Sequence, residues 1–234
     1  MIALASCNFS DELWKLTGIK TYPLKPYNKL DLPVSSHADM LLCVIESNVF
    51  CYEDYYKENI DAFESVRKQG YKINFVSSKC QPKYPNDVSL NVLVVGKKIL
   101  CNVNHTAKEI IDFAKNLNYE IINVKQGYSA CSTAVLDENT IITSDIGIAK
   151  ELKNRGVNVY IINNQQIVLD GYNCGFIGGA SCTIDDKLII FGEIENFVDK
   201  SIIKVAAEKS KKKLICLPKD KIFDFGGAKI FSKI

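Results

Sequence analysis

The feature that most restricts the fold of this chain is an internal repeat of short strands and one helix. Each unit reads as a strand, a tight turn, a second strand, a helix and a closing strand. Four complete units lie in residues 37–76, 90–124, 129–163 and 176–217. Repeats of this length are typical of folds assembled from similar supersecondary units. The repeat therefore predicts an α/β fold.

The two ends of the chain together supply a fifth unit. Residues 222–234 offer only strand material, whereas residues 1–23 contain a strand, a helix and a closing strand. A unit divided in this way closes a ring, because strands from opposite ends pair within one sheet, and closure removes exposed sheet edges. We predict one domain over residues 1–234, a five-bladed α/β propeller of ββαβ units in a closed ring. Four α/β hairpins in an open sheet are the alternative.

The first unit shows how the elements are assigned. The run "ADMLLCVI", residues 38–45, is largely apolar and predicts a buried strand. Further along, Ile60, Phe63 and Val66 recur at helical spacing. They predict the buried face of a single helix that ends at Gly70.

Composition and charge argue against several classes of function. The 234 residues are 47% hydrophobic and 24% charged, with a net charge of +2, as in ordinary globular proteins. Arg67 and Arg155 are the only arginines, so the chain has few of the guanidinium forks that bind phosphates and bases. No apolar stretch approaches the roughly 20 residues that span a bilayer. We therefore expect neither a nucleic-acid partner nor a membrane.

The cysteines indicate a reducing compartment. There are nine, an odd number, no two of them form a CxxC pair, and most lie in apolar runs. They are typical of reduced thiols rather than of disulfides or a zinc site. The N-terminal stretch lacks the basic region of a signal peptide, so we expect a cytoplasmic protein. No metal or organic cofactor is expected.

Histidine is rare in this sequence, and one of its two histidines has a carboxylate neighbour. His37 and Asp39 lie together at the start of the first unit. A histidine that titrates near neutrality suits acid–base catalysis, and a carboxylate suits the binding of a cation. A polar cap at the end of a strand is the alternative interpretation of the same pair.

The chain resembles the guanidine-modifying penteins: arginine deiminases, agmatine deiminases and dimethylarginine dimethylaminohydrolases. "HADM" matches their His-x-Asp motif at His37 and Asp39. Two units later "QGYSACSTAVL" places Cys131 where that family has its nucleophile, and "FDFGGAKIF" places Asp224 before a Gly-Gly pair. The pentein fold has five ββαβ units in a ring, which agrees with the repeat.

The resemblance implies a role for each of these residues. Cys131 would be the nucleophile, His37 its acid–base partner, and Asp39 and Asp224 the carboxylates that hold a guanidinium. The small neighbours of Cys131 predict an accessible sulfur. Two family carboxylates have no counterpart, because Gly179 and Ala228 occupy their positions.

Two functions from different classes follow. The first is a cysteine-dependent hydrolase or amidinotransferase that acts on a small cationic substrate of the guanidine type or with a related C–N bond. The alternative is a non-catalytic pentein that binds a ribosome or another protein. The oligomeric state stays open.

Overall fold

Five three-stranded sheets dominate the computed structural model, which describes residues 1–234. In hydrogen-bonding order the sheets are β17 (Ala228–Phe231), β1 (Ile2–Ser6) and β2 (Thr21–Leu24); β3 (Cys43–Ile45), β4 (Asn48–Cys51) and β5 (Lys72–Phe75); β6 (Leu93–Val95), β7 (Lys98–Cys101) and β8 (Glu120–Asn123); β9 (Thr133–Asp137), β10 (Thr140–Thr143) and β11 (Asn158–Ile161); and β13 (Ser181–Ile184), β14 (Lys187–Ile190) and β15 (Lys213–Cys216). Strands β12 (Ile167–Val168) and β16 (Ile222–Phe223) form a separate parallel pair. The prediction of a mixed α/β fold is confirmed.

Every three-stranded sheet has the same internal arrangement. Its central strand is antiparallel to the first strand and parallel to the third. A parallel pair needs a crossover connection, and here a helix or a pair of helices follows each central strand. The helices are α1 (Ser10–Thr17), α2 (Ala38–Leu41), α3 (Glu53–Glu58), α4 (Ile60–Arg67), α5 (Lys108–Asn116), α6 (Ile146–Lys153) and α7 (Lys200–Lys209), and Leu32–Val34 form a 3₁₀ turn. None of the helices has the length and apolar character needed to cross a membrane.

The two ends of the chain meet in one of these sheets. Strand β1 pairs with β17 in antiparallel register, from Ile2 opposite Phe231 to Ala5 opposite Ala228. All five residues of β1 are buried. A buried strand needs partners for its backbone groups on both edges, and here β17 and β2 provide them.

The start of the first unit differs from the prediction. Only Cys43–Ile45 of the run "ADMLLCVI" is a strand, whereas Ala38–Leu41 form a helical turn. The turn closes where the Leu42 amide donates to the Ala38 carbonyl at 3.0 Å. All four residues of the turn are buried, so their apolar pattern did not distinguish a helical turn from a strand.

The helix predicted in this unit is also interrupted. Asn59 separates α3 from α4, because its side-chain amide donates to the Tyr55 carbonyl and its side-chain oxygen accepts from the Lys25 amide. The prediction that Ile60 belongs to the buried face is wrong, since 50% of this residue is exposed. Phe63 and Val66 are buried as predicted.

A cavity of about 280 Å³ lies between the sheets, and we call it the channel cavity. Residues from the first strand of every sheet line it, namely β3, β6, β9, β13 and β17. The segments that lead into these strands therefore converge on a common region.

Candidate active site

His37 is held in place by the glycine segment that follows β16. It precedes α2 and is buried, with 4% of the residue exposed. The Asp39 amide donates to the Gly226 carbonyl at 3.0 Å. A Cβ on Gly226 would lie 2.3 Å from the His37 Cβ, and the φ of Gly226 is 77°. Only glycine allows this approach and this backbone conformation, so the Gly-Gly pair positions the histidine.

Asp224 lies against the His37 ring. Its Oδ1 lies 3.7 Å from His37 Nδ1. The same oxygen accepts a hydrogen bond from the Gly226 amide at 2.9 Å. Its Oδ2 accepts from the Phe176 amide at 2.8 Å. Burial raises the pKa of Asp224 to about 6, although these two amides favour the charged form. Burial lowers the pKa of His37, so the pair is set as a carboxylate beside a neutral imidazole near neutral pH.

Asp39 carries a carboxylate with no hydrogen-bond partner. Both of its oxygens are buried and unpaired. Burial raises the pKa of this carboxyl, the nearby His37 opposes that rise, and the nearby Asp224 adds to it. A buried carboxylate without a partner is costly unless a cation or a proton neutralises it. The free oxygens therefore indicate a position where a positive group would be stabilised.

Cys131 lies in the turn before β9, and the side chain of Asn91 holds that turn. The Asn91 amide nitrogen donates to Cys131 Sγ at 2.8 Å. The Asn91 side-chain oxygen accepts from the Ala130 amide at 2.8 Å and from the Cys131 amide at 3.3 Å. One buried amide thus fixes both the backbone of the turn and the direction of the sulfur.

The prediction of an accessible sulfur is wrong. Only 5% of Cys131 is exposed, and its Sγ lies 3.8 Å from Met40 Sδ. Burial raises the pKa of the thiol well above its ordinary value, and the charges of Asp39 and Asp224 raise it further. The thiol is therefore protonated at neutral pH.

The close packing around the glycines of the fourth unit explains why this unit has no acidic residue at the position of the family carboxylate. A Cβ on Gly179 would lie 2.0 Å from Asp224 Oδ1, so a side chain at this position would displace the Asp224 carboxylate. The Gly178 and Gly179 amides donate to the Cys131 carbonyl at 2.8 and 3.2 Å. These glycines form the wall that holds the nucleophile turn.

The close approach at Gly178 predicts a large loss of stability on substitution. A Cβ there would lie 2.2 Å from the Ala130 carbonyl oxygen and 2.6 Å from that of Cys131. Because backbone must move to relieve these contacts, Gly178→Ala should lower the free energy of unfolding by about 3 kcal/mol. The control is Gly147→Ala in α6, where a Cβ would meet only Asp145 Oδ1, at 3.1 Å. Urea unfolding should show a change of less than about 1 kcal/mol for the control; equal losses would contradict the role given to Gly178.

The predicted residues converge, although not all in one cavity. His37, Cys131 and Asp224 line a cavity of about 240 Å³, which we call the site cavity. Asp39 lines the adjoining channel cavity instead. The four side chains are nevertheless close together. His37 and Asp224 are in contact, and the charge of Asp39 affects the pKa of both His37 and Cys131.

Sequence reasoning missed two polar residues of this region. Asp87 also lines the site cavity, and Asn91 anchors the cysteine. A signal for Asn91 was present, because it is the polar residue in the apolar run "LNVLVV". Asp87 precedes the second unit in a loop whose direction no periodicity encodes.

Comparison with known proteins identifies the fold. The structure matches dimethylarginine dimethylaminohydrolase from Pseudomonas aeruginosa, complexed with citrulline, with a TM-score of 0.56 and 10% identity over 90% of this chain and 79% of that one. It matches an amidinotransferase of saxitoxin biosynthesis from Microseira wollei with a TM-score of 0.58 and 12% identity over 97% and 79% of the two chains. It also matches agmatine deiminase from C. jejuni with substrate bound, with a TM-score of 0.52 and 14% identity over 92% and 76%. The chain therefore has the pentein fold of guanidine-modifying enzymes.

At the level of sequence, one family profile matches. It is described as a family of unknown function (DUF6873), and it covers residues 5–228. No curated protein matches the sequence.

Proposed function

This chain belongs to the DUF6873 family, and we propose that it is a cysteine-dependent hydrolase or amidinotransferase that acts on a guanidine-type or related C–N substrate. One observation carries the proposal. Cys131, His37 and Asp224 line a single small cavity, and the unpaired carboxylate of Asp39 lies beside them. Nucleophile, acid–base group and cation-binding charge are the three requirements for breaking a C–N bond of a guanidinium.

The substrate itself supplies the activation of the thiol. A guanidinium bound between Asp39 and Asp224 would neutralise the two charges that raise the pKa of the Cys131 thiol. It would also bring a positive charge next to the sulfur, which favours the thiolate. The resting protein would then keep its cysteine protonated and form the nucleophile only with a cation in place.

The reaction then proceeds by two displacements. The Cys131 thiolate forms a C–S bond with the central guanidinium carbon, the C–N bond to the leaving amine breaks, and His37 delivers the thiol proton to that amine. In the second displacement, His37 takes a proton from water, whose oxygen forms a C–O bond with the same carbon. The C–S bond breaks, the proton passes from His37 to the sulfur, and a ureido product and the thiol are released. In an amidinotransferase an amine replaces water. Asp224 orients His37 and stabilises its protonated form.

We further infer that the five sheets are the blades of a closed propeller within one domain, residues 1–234. The channel cavity supports this arrangement, because the first strands of all five sheets line it. The pairing of β17 with β1 supports closure through a unit divided between the ends of the chain.

Product analysis tests the proposed reaction. The protein is incubated with methylguanidine, alkylguanidines and arginine, with and without an amine acceptor, and products are identified by mass spectrometry. We expect a ureido product together with ammonium or an alkylamine, or transfer of the amidino group to the acceptor. Absence of both over the whole series, together with co-purification with ribosomes at low salt, would favour the non-catalytic binding function.

The buried charge of Asp224 predicts a pH-dependent effect on stability. Its pKa is raised from about 3.9 in the unfolded chain to about 6 in the folded protein, so the folded state binds the proton more tightly. The tighter proton binding adds about 3 kcal/mol to the free energy of unfolding. This stabilisation is fully present below about pH 4 and is lost as the pH rises through 6. Asp224→Asn carries no such charge.

The free energy of unfolding of the Asp224→Asn protein, minus that of the native protein, should therefore rise by up to about 3 kcal/mol between pH 4 and pH 7. Urea unfolding at several pH values measures this change, and the lost hydrogen bond adds only a constant offset. Asp11→Asn, on the exposed side of α1, is the control and should show no comparable trend. A difference that stays constant across this range would contradict the buried, titrating carboxylate.

A further inference from the structure

A second unpaired carboxylate faces the site cavity at Asp87. Only 3% of this residue is exposed. Its Oδ2 accepts a hydrogen bond from the Tyr128 hydroxyl at 2.7 Å, whereas its Oδ1 is buried and has no partner. Asp87 lines the same cavity as Cys131. Burial raises the pKa of this carboxyl, as expected for a group whose partner is missing.

The geometry ties Asp87 to the nucleophile. Tyr128, which holds Asp87, is on the same turn as Cys131, and its carbonyl accepts from the Ser132 amide at 3.0 Å. The Tyr128 ring packs beside that of Phe176, with 6.2 Å between their centroids. Because one turn carries both the nucleophile and the hydroxyl that holds Asp87, the spacing between the two groups is set by rigid structure.

The remaining lining of the cavity limits what a substrate can carry. Asp87 and Asp224 are its only carboxylates, and it contains no lysine or arginine. Val34, Met40 and Leu169 provide apolar surface. A substrate carboxylate would find no cation here and would meet negative charge, whereas a second positive group would find the free oxygen of Asp87.

We propose that Asp87 is a second cation anchor, so that the substrates are small dications with a guanidinium at the Cys131 end, an ammonium at the Asp87 end, an alkyl chain between them and no carboxylate. This inference rests on the proposed function, because that function places the guanidinium at Cys131. The cavity of about 240 Å³ is smaller than most ligand pockets, which suits a short chain.

Three related compounds test the anchor by binding alone. Butylguanidine has no ammonium, 4-aminobutylguanidine adds one, and arginine differs from the second compound only by its carboxylate. Calorimetric titration uses the Cys131→Ala protein, so that no turnover interferes. We expect 4-aminobutylguanidine to bind roughly tenfold more tightly than either of the other two compounds.

Substitution of Asp87 then locates the ammonium. In the Cys131→Ala, Asp87→Asn protein the advantage of 4-aminobutylguanidine over butylguanidine should fall to less than about twofold. Asp87→Glu keeps the charge and lengthens the side chain, so its preference should move to 3-aminopropylguanidine. The Glu variant also keeps the test open if the Asn variant does not fold.

The outcomes separate the anchor from the reaction. Equal affinities for butylguanidine and 4-aminobutylguanidine, an advantage that survives Asp87→Asn, or no binding of any of the three compounds would overturn the anchor. If the advantage appears and depends on Asp87, but the native protein converts no guanidine, the anchor stands and the proposed reaction falls.

Discussion

Replacing Cys131 with alanine should reduce the conversion of any guanidine that the native protein accepts by at least about 10⁴-fold. Cys174 also lines the site cavity, but only the Cys131 sulfur accepts a hydrogen bond from Asn91 and interacts with Asp39, so we do not expect Cys174 to substitute for it. The measurement is the rate of ureido or transfer product under single-turnover conditions. Cys101→Ala is the control, because that thiol is also buried, in β7, and lies outside the site. It should retain most of the activity.

A pair of alkylating reagents gives a second measurement that needs no known substrate. Chloroacetamidine carries a positive charge, whereas chloroacetamide has the same size and is neutral. The cation should modify Cys131 roughly tenfold faster or more, because it binds between Asp39 and Asp224 and lowers the pKa of the thiol. The neutral reagent should modify the exposed Cys7 first.

His37→Ala should slow modification of Cys131 by the cation, since the imidazole accepts the thiol proton. Peptide mapping by mass spectrometry identifies the modified residues. If both reagents modify Cys131 at the same rate and His37→Ala changes neither, Cys131 is a structural thiol and the enzyme proposal fails.

The sequence was most informative where position along a repeat determines position in space. His37, Cys131 and Asp224 occupy equivalent places in their units, at or before the first strand. The family resemblance selected these residues, and the repeat predicted that equivalent places converge. His37, Cys131 and Asp224 do line one cavity, whereas Asp39, predicted with them, lines the other. Local patterns were less reliable. The four residues of α2 were predicted as a strand, since one helical turn is too short to show a period.

Access and partners could not be predicted from the sequence. The small neighbours of Cys131 suggested an open sulfur, but Met40 and the backbone of Gly178 pack on its turn from other units. Asp87 lies in a loop, and only the three-dimensional structure shows that it lines the cavity and accepts a hydrogen bond from Tyr128. These features depend on contacts between distant segments, which neither composition nor periodicity encodes.

The position of Asp224 could be predicted from the sequence, but its contact with the His37 ring could not. The acid before Gly-Gly located it beside the histidine, and the resemblance implied that it holds substrate. The structure gives it three neighbours: the His37 ring, the Phe176 amide and the Gly226 amide. Its role as a substrate carboxylate stays a prediction. The contact with His37 adds an orienting role that only the geometry reveals.

Removing β17 should unfold most of the protein at temperatures where the native chain is stable. A chain that ends at Gly227 keeps Asp224 and Gly226 but loses the four residues that pair with β1. Phe231 is fully buried and packs edge-on against Tyr71, with 5.0 Å between ring centroids. Loss of this side chain alone costs about 3–5 kcal/mol, a large part of the 5–15 kcal/mol that stabilises a typical domain.

The loss of backbone pairing adds to this cost, because the buried strand β1 would become an edge with unpaired amides and carbonyls. We expect the melting temperature to fall by roughly 10 °C or more, measured by circular dichroism. A chain that ends at Phe231 is the matched control, since it removes only residues 232–234 and keeps β17 intact. If β17 closes the ring, the two truncations must differ strongly. Melting curves that coincide with that of the native protein for both would show that the fifth sheet does not need the C-terminal strand, and the closed propeller would have to be abandoned.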